Sequence, residues 1–181
     1  MKFKFIDPVK DFSNGLQVLR SYHEDFLARG AQLLILVEDI RKYGMNESCA
    51  NQSIEFHSYY TRANKLHHQD EECALFPLIV NRSFLIDGMI ERLTLDHEEI
   101  EETWDELALL LSAPEKISGT GKLQRVAIEF EKIQREHLLR ENEDFLAKIE
   151  TTLGPAQLIE MGGKMAALRG LNNQEEVRLA V

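Results

Sequence analysis

The stretch that decides the fold is His67-His68-Gln69-Asp70-Glu71-Glu72-Cys73-Ala74-Leu75-Phe76-Pro77, in which a histidine is twice followed four residues later by a glutamate. Positions four apart project from one face of an α-helix, about one turn from each other. An imidazole nitrogen and a carboxylate oxygen placed in this way can reach one metal ion or two neighbouring ions. The stretch therefore predicts a metal-binding segment on a helix.

The same spacing of histidine and glutamate recurs in two later segments. His97 is followed four residues later by Glu101, and His137 by Glu141. One such pair has little value as evidence, but three pairs on three helices, each interrupting an apolar stripe, indicate a common site. Burying carboxylates without partners would cost several kcal/mol each. We therefore expect these pairs, together with His23, to line the inside of a helical bundle and to hold two metal ions.

The apolar pattern predicts an all-α protein, because apolar residues recur at steps of three and four and no stretch alternates like a strand. Four long helices joined by short turns give an up-down-up-down four-helix bundle. We expect an N-terminal arm over residues 1–11, the bundle over 12–153 and a C-terminal extension over 154–181. The predicted helices run from Ser13 or Asn14 to Tyr43, from about Asn51 to Val80, from between Ser83 and Asp87 to before Pro114, and from Ser118 or Thr120 to Gly154-Pro155. A short helix from about Ala156 to Leu168 follows, although Gly162-Gly163 weakens its signal.

Two overlapping pairs on the second helix compete for the inward face. The stripe through His67 and Glu71 is otherwise apolar, whereas the stripe through His68 and Glu72 is mostly polar. Because an inward face should be apolar around its functional residues, we assign the first pair to the site and the second to its flank, with the reverse assignment left open. The first stripe contains Phe56, Tyr60, Ala63, Ala74 and Leu78, and the second contains His57, Thr61, Asn64 and Leu75.

The candidate ligands lie at one height in the predicted bundle. With a rise of about 1.5 Å per residue, His23 and the pairs on the other three helices each lie roughly 14–20 Å from the same end of the bundle. On the third helix the expected inward stripe passes through His97, Glu101 and Trp104. Mixed imidazole and carboxylate ligands in such a layer favour iron or manganese, with zinc less suited because the donors exceed its usual four and include no thiolate.

Composition and charge exclude several classes of function. The chain has 181 residues, which suits one domain with a substantial core, and 31 acidic against 21 basic residues give a formal net charge of −10. This balance argues against a nucleic-acid binder and against attachment to an anionic membrane. The first residues do not resemble a signal peptide, and Cys49 and Cys73 do not form a disulfide framework. We expect a cytoplasmic protein, with Cys73 as a buried thiol, and leave the oligomeric state open.

The chain resembles hemerythrin-like (HHE cation-binding) domains over roughly residues 12–150. The match is carried by His23 and by the three histidine–glutamate pairs, with the run Glu-Glu-x-x-Leu-Phe-Pro of the second helix as its most specific part. The resemblance implies a non-haem di-iron centre bridged by an oxygen species and two carboxylates. It implies bridging roles for Glu71 and Glu141 and terminal-ligand roles for His23, His67, His97 and His137.

One departure from the family concerns Glu101. The oxygen-carrying hemerythrins place a second histidine four residues after the one on the third helix, and here that position is a glutamate. A carboxylate beside the irons would stabilise the ferric state and fill the position where oxygen binds. We therefore expect redox chemistry with oxygen or peroxide in preference to reversible oxygen carriage.

Three functions stay open at this point, and no catalytic residue can be named. The first is a module that binds or senses oxygen, peroxide or iron, and the second is a peroxidase, catalase-like or oxygen-activating enzyme. The third is iron handling, such as storage or donation. The sensor is less favoured unless its output lies on a separate chain, because only about 30 residues follow the fourth helix.

Overall fold

A computed structural model describes residues 3–117 and 119–171 of the chain. Within these ranges α1 covers Gly15–Tyr43, and α2 runs from Glu47–Gln69 through a π-helical turn, Asp70–Leu75, into Phe76–Ile79. Helix α3 covers Phe84–Leu111 and is followed by a short 3₁₀ turn, Pro114–Lys116. Helix α4 runs from Thr120–Arg140 through a second π-helical turn, Glu141–Leu146, into Ala147–Glu150, and α5 covers Pro155–Leu168.

The predicted all-α bundle is confirmed. Helix α1 packs against α2 and α4, and α3 packs against the same two helices, so that the four long helices close into one bundle around a shared core. Only 44–46 separate α1 from α2, and 80–83 separate α2 from α3. Links this short require neighbouring helices to run antiparallel. Among the helices of the described ranges, none is long and apolar enough to cross a membrane.

Capping residues explain where the predicted boundaries hold and where they shift. The side chain of Asn14 accepts hydrogen bonds from the backbone N–H groups at the start of α1, and Gly44 ends that helix with a positive φ of 78°. Helix α2 begins four residues earlier than predicted, because Asn46 caps it by accepting the N–H of Cys49 at 2.9 Å. The fourth helix ends at Glu150, ahead of the predicted Gly154. Ser118, one candidate for its start, lies outside the described residues.

The π-helical turn in α2 moves the inward stripe by one position. Leu78 was predicted to face the core, but it is only partly buried, and Ile79 is completely buried in its place. A π-helical turn holds one residue more than an α-helical turn, so every later position rotates relative to the bundle axis. Cys73, predicted to be buried, lies inside this turn and is exposed, whereas Cys49 is buried.

Helix α5 packs on the start of α1 and on the π-helical turn of α2. The approach depends on Gly162, because a Cβ atom at this position would overlap the carbonyl oxygen of Phe12. The glycine pair that weakened the prediction of this helix is therefore what allows it to pack so closely. The division into arm, bundle and extension stays a prediction, and 172–181 lie outside the described residues.

Candidate metal centre

Six of the seven predicted ligands come together in the core of the bundle. Two groups of ligand atoms each lie within 4.8 Å of one another, and Glu71 belongs to both groups. We call the groups the α1 half and the α3 half. The α1 half consists of His23, His67, Glu71 and Glu141, and the α3 half of Glu71, His97 and His137. All six residues are buried.

The two carboxylates lie between the imidazoles. Oε1 of Glu71 is 2.9 Å from His67 Nε2, and its other oxygen, Oε2, is 3.2 Å from His97 Nε2. Oε2 of Glu141 lies 3.1 Å from His23 Nε2 and 3.6 Å from His137 Nε2. Each carboxylate therefore contacts one histidine of the α1 half and one histidine that belongs to the α3 half alone.

The candidate ligand atoms of the centre face one another but do not form hydrogen bonds with one another. In the described part of the chain, both oxygens of Glu71 and of Glu141 are buried and lack a partner with hydrogen-bond geometry. The same holds for Nε2 of all four histidines. Buried polar atoms without partners are rare in native proteins, and a group of them requires an explanation. Lone pairs that converge on common points fit a cation, so these residues suit a metal centre of two ions.

Outer hydrogen bonds orient His23 and His97, and a longer contact reaches His137. Nδ1 of His23 lies 2.7 Å from Oδ1 of Asn142, and Nδ1 of His97 lies 2.7 Å from Oε1 of Glu72. Nδ1 of His137 lies 3.5 Å from Oδ2 of Asp96. Because these oxygens can only accept, Nδ1 of His23 and of His97 carries the proton, and Nε2 of both points inward. Such outer partners commonly fix the orientation of metal-binding imidazoles. The ring of His67 instead stacks on Tyr22, with the ring centres 5.8 Å apart.

Burial and the charges of the cluster strongly shift the pKa values of its residues. Burial favours the neutral acid of Glu71, but attraction by His67 and His97 outweighs it and holds the pKa of Glu71 well below its usual value. Burial likewise opposes a charge on His97, but Glu71 and Glu72 outweigh it and raise the pKa of His97 to about 10. A cation that binds here must therefore displace a proton from His97.

Both π-helical turns begin at or beside a carboxylate of the centre, at Asp70 in α2 and at Glu141 in α4. Local π-helical turns occur frequently at functional sites. The turn in α2 is held by a contact from the end of α5, where the guanidinium of Arg169 donates to both oxygens of Asp70, at 2.8 and 2.7 Å. Arg169 also donates to Asp7 Oδ2 at 2.7 Å and to the Tyr22 hydroxyl at 3.1 Å.

The prediction that Glu101 faces the interior is wrong. Its side chain is 60% exposed, and its carboxylate accepts a hydrogen bond from Nδ1 of His68 at 3.0 Å. The buried stripe of α3 instead passes from His97 to Ile100 and then to Trp104. A helix with 3.6 residues per turn allows a step of three or of four at each turn. The structure takes the step of three here, and Glu101 lies outside the centre.

Sequence reasoning also misjudged His68 and missed Asp96. His68 and Glu72 were both assigned to the flank, but His68 is only 4% exposed, whereas Glu72 is exposed. Asp96 is buried and binds Arg92, at 2.9 Å, and Arg140. Adjacent residues of a helix point in different directions, so the place of Asp96 directly before His97 gives no signal, and its contacts with His137 and Arg140 of α4 become clear only in the structure.

An aromatic layer lies next to the centre along the bundle axis. Tyr60 is completely buried there, with its ring centre 5.3 Å from the ring centres of Trp104 and Phe130. The core role favoured for Tyr60 and Trp104 therefore fits their positions. His57 lies half-buried beside Trp104 at the edge of this layer, away from the candidate ligands.

The sequence profile of the Hemerythrin HHE cation binding domain matches residues 14–149. The chain belongs to this hemerythrin family. The matched range begins at the cap of α1 and ends in the last turn of α4, so it includes every ligand of both halves. Cation binding by the family agrees with the buried cluster of histidines and glutamates.

The other comparisons give no information about function. A Haemophilus influenzae protein described as uncharacterized is 31% identical over 96 residues, which are 53% of this chain and 56% of the relative. The hemerythrin-family chain thus spans about half the length of the curated relative that it matches. No solved structure matches it significantly. Function is therefore inferred from the family and from the geometry of the centre.

Proposed function

We propose that this hemerythrin-family protein holds two iron ions between the four bundle helices and reacts through them with dioxygen or peroxide. The observation that supports this most is the position of Glu71, whose two oxygens face different halves of the centre. A carboxylate placed between two groups of imidazoles is suited to bridging two cations, as in other carboxylate-rich bundles.

The six clustered residues divide between the two ions. His23 and His67 would bind the ion of the α1 half, and His97 and His137 the ion of the α3 half. Glu71 and Glu141 would bridge, since each carboxylate contacts histidines of both ions.

The donor set favours iron over other metals. Each ion would have two imidazoles and two bridging carboxylates, and no thiolate, a frequent zinc ligand, is among the clustered donors of the described residues. Imidazole and carboxylate donors suit iron and, less well here, manganese. Zinc is the weakest of the three candidates.

The α3 half supports a reaction with small oxidants. It offers two histidines and the carboxylate of Glu71, with Glu141 reaching His137 from the α1 half, and imidazole and carboxylate donors suit non-haem iron. Iron bound there supplies the electrons that reduce the oxidant. Phe76 lies parallel to the His97 ring on one side of this half, with ring centres 6.3 Å apart. Glu101 gives no support to this chemistry, because its carboxylate lies outside the centre.

Iron handling is a second candidate, and the outer face of the α3 half favours it. Glu72 and Glu101 are 44% and 60% exposed, and each contacts a buried histidine at or beside the centre. Carboxylates in these positions can receive a cation from solvent. A sensing role would use the same site without net consumption of an oxidant.

Iron counting followed by exposure to oxidants tests the proposal. The metal-free protein is loaded with Fe²⁺ under nitrogen, desalted and analysed for metal, and oxygen or hydrogen peroxide is then added. We expect about two irons per chain, as in di-iron bundles, and faster loss of oxidant than with the same Fe²⁺ in buffer. His67→Gln should lose iron, whereas His57→Gln, a histidine of the same helix outside the cluster, should keep it.

The outcomes separate the candidates. Binding of zinc with no binding of iron would contradict the di-iron centre. Two irons that a chelator removes freely, with no consumption of oxidant, would favour iron handling over redox chemistry.

A further inference from the structure

The end of α5 reaches the surroundings of the metal centre from outside the family domain. The family match ends at residue 149, whereas α5 covers Pro155–Leu168 and Arg169 follows as its C-cap. The Arg169 side chain is only 5% exposed, and the carboxylate of Asp70 that it binds is completely buried. A buried ion pair often adds no stability over apolar side chains of similar volume. The pair between α5 and α2 therefore points to a role other than stability.

All five N–H groups of the Arg169 guanidinium donate hydrogen bonds. Two go to Asp70, and one each goes to Asp7, to the Tyr22 hydroxyl and to the backbone oxygen of Met165 in α5 itself. An arginine has five such donors, and they form a rigid fork. The guanidinium is therefore held in one orientation where the N-terminal arm, α1, α2 and α5 meet.

The contact with Asp70 holds the turn that carries Glu71. Asp70 begins the π-helical turn of α2, and Glu71 follows it with its two oxygens facing different halves of the centre. The second π-helical turn has the same arrangement, since Arg140 directly precedes Glu141 and pairs with Asp96. In each turn, the residue before a central carboxylate is thus held by an ion pair from another helix. The partner comes from α3 in one turn and from α5, outside the family domain, in the other.

The contact with Tyr22 reaches a second candidate ligand. Nδ1 of His67 has no hydrogen-bond partner in the part of the chain that the structure describes. The ring of His67 stacks on Tyr22 instead. The Tyr22 hydroxyl accepts a hydrogen bond from Arg169 at 3.1 Å and donates one to Asp7 at 3.0 Å. The tyrosine that covers His67 is therefore held by the same guanidinium.

We infer that Arg169 is a positioning residue of the metal centre. It acts through Asp70 on the neighbouring Glu71. It also acts through Tyr22 on the imidazole of His67. The inference rests on the proposed two-metal centre, and it makes α5 a part of the site although the helix lies outside the family domain. Ligands that are already held in place bind an ion more tightly, because less conformational freedom is lost on binding.

Iron titrations of the full chain and its variants test the inference. The metal-free proteins are shown to be folded by circular dichroism and are titrated with Fe²⁺ under nitrogen. We expect Arg169→Met to bind at least one ion about tenfold more weakly, the lower value for outer partners of metal ligands. Loss of the positive charge alone would act in the opposite direction, because a nearby cation repels a bound metal ion. Weaker binding therefore reports lost positioning.

Two further variants separate positioning from stability. Leu33→Ala shortens a completely buried side chain of α1, about 15 Å along the helix from His23. It should destabilise the fold but leave the affinity for iron unchanged. Arg169→Lys keeps the charge but offers three donors without the fork, so it should retain only part of the affinity. The lysine variant also provides the test if Arg169→Met does not fold.

Each outcome has a distinct meaning. If the unaltered protein binds two irons and the folded Arg169 variants bind them with unchanged or higher affinity, the inference is overturned and the metal centre stands. An equal loss of affinity in Leu33→Ala would also overturn it, because affinity would then follow stability alone. If the unaltered protein binds no iron, the proposed centre itself fails, and the inference fails with it.

Discussion

The α1 half and the α3 half of the centre use the same ligand types, but different surroundings support them. Behind the α1 half the surroundings are buried: Tyr22 stacks on His67, and Arg169 joins the Tyr22 hydroxyl to Asp70, next to Glu71 in the chain. Every partner in this set is fixed by at least one further contact. Contacts from the N-terminal arm, α1 and the end of α5 therefore support the α1 half.

Behind the α3 half the supporting groups reach solvent. Glu72 contacts His97 and Glu101 contacts His68, and both carboxylates are largely exposed. Such groups move and are screened by salt. The two halves therefore differ in how their outer contacts meet solvent, and if the proposed two-ion centre holds, we expect exchange with solvent and reaction with small molecules at the α3 half.

The largest expected effect comes from the residue that the halves share. Glu71→Gln keeps the shape of the side chain but removes the charge that faces both ions. Because both halves lose a charged donor, we expect the iron content to fall from about two per chain to near zero, which would abolish the difference between the halves. Metal analysis of the purified variant after loading with Fe²⁺ measures the effect.

Glu98→Gln is the matched control for this variant. Glu98 lies on the exposed side of α3, one residue after His97, and should leave the iron content unchanged. If Glu71→Gln still bound two irons with the affinity of the unaltered protein, Glu71 would not be the bridge.

Arg169→Met should break the support of the α1 half alone. The change leaves the completely buried carboxylate of Asp70 and that of Asp7 without their cation. Removal of one partner from a buried ion pair costs about 3–5 kcal/mol of the free energy of unfolding. Urea denaturation of the metal-free protein measures the loss.

A surface pair provides the comparison for Arg169. Arg20 pairs with Glu150 at 2.8 Å in a half-exposed site, so Arg20→Met should cost about 0–1 kcal/mol. Equal effects of the two variants would show that the buried network adds no special stability. The double variant Asp70→Asn/Arg169→Met should recover part of the loss, because the completely buried side chain of Asp70 then carries no charge.

The helical period predicted most of the bundle and of the α1 half from sequence. On α1 the apolar residues at steps of three and four left only one polar position in the stripe, and His23 is indeed buried there. His67 and Glu71 were preferred over the overlapping pair because their stripe is apolar, and both lie in the centre. Period alone is sufficient where a stripe has one clear choice at each turn.

The α3 half was harder to predict, for physical reasons. Both Ile100 and Glu101 continue the stripe after His97, and only the packing of α3 against α2 and α4 decides between a step of three and a step of four. The π-helical turn that rotates Ile79 into the core has no local sequence signature. The contact between Asp70 and Arg169 joins residues 99 positions apart, so no pattern within a helix reveals it.

The packing of α5, the helix whose end supports the α1 half, gives a test with a smaller expected loss of stability. Gly162→Ala places a methyl group against the carbonyl oxygen of Phe12, so the backbone of α5 or of the arm must shift. Overpacking of this kind costs about 1–3 kcal/mol of stability. Gly163→Ala is the matched control, because its Cβ has no neighbour within 4 Å in the described structure and should instead stabilise the helix by about 0.5–1 kcal/mol. Thermal unfolding followed by circular dichroism distinguishes the two.

The smallest expected effect belongs to the α3 half and comes from Asp96. Asp96→Asn keeps an oxygen 3.5 Å from Nδ1 of His137 but removes the negative charge that lies beside this ring. Outer partners of metal-binding histidines contribute about 10–100-fold in affinity. The lower value applies here because the contact is long and Asp96 also binds Arg92 and Arg140. We expect the more weakly bound Fe²⁺ to lose about tenfold, or about 1.4 kcal/mol, with the tighter ion unchanged. Equal weakening of both ions in an Fe²⁺ titration would mean that the two halves are not supported independently.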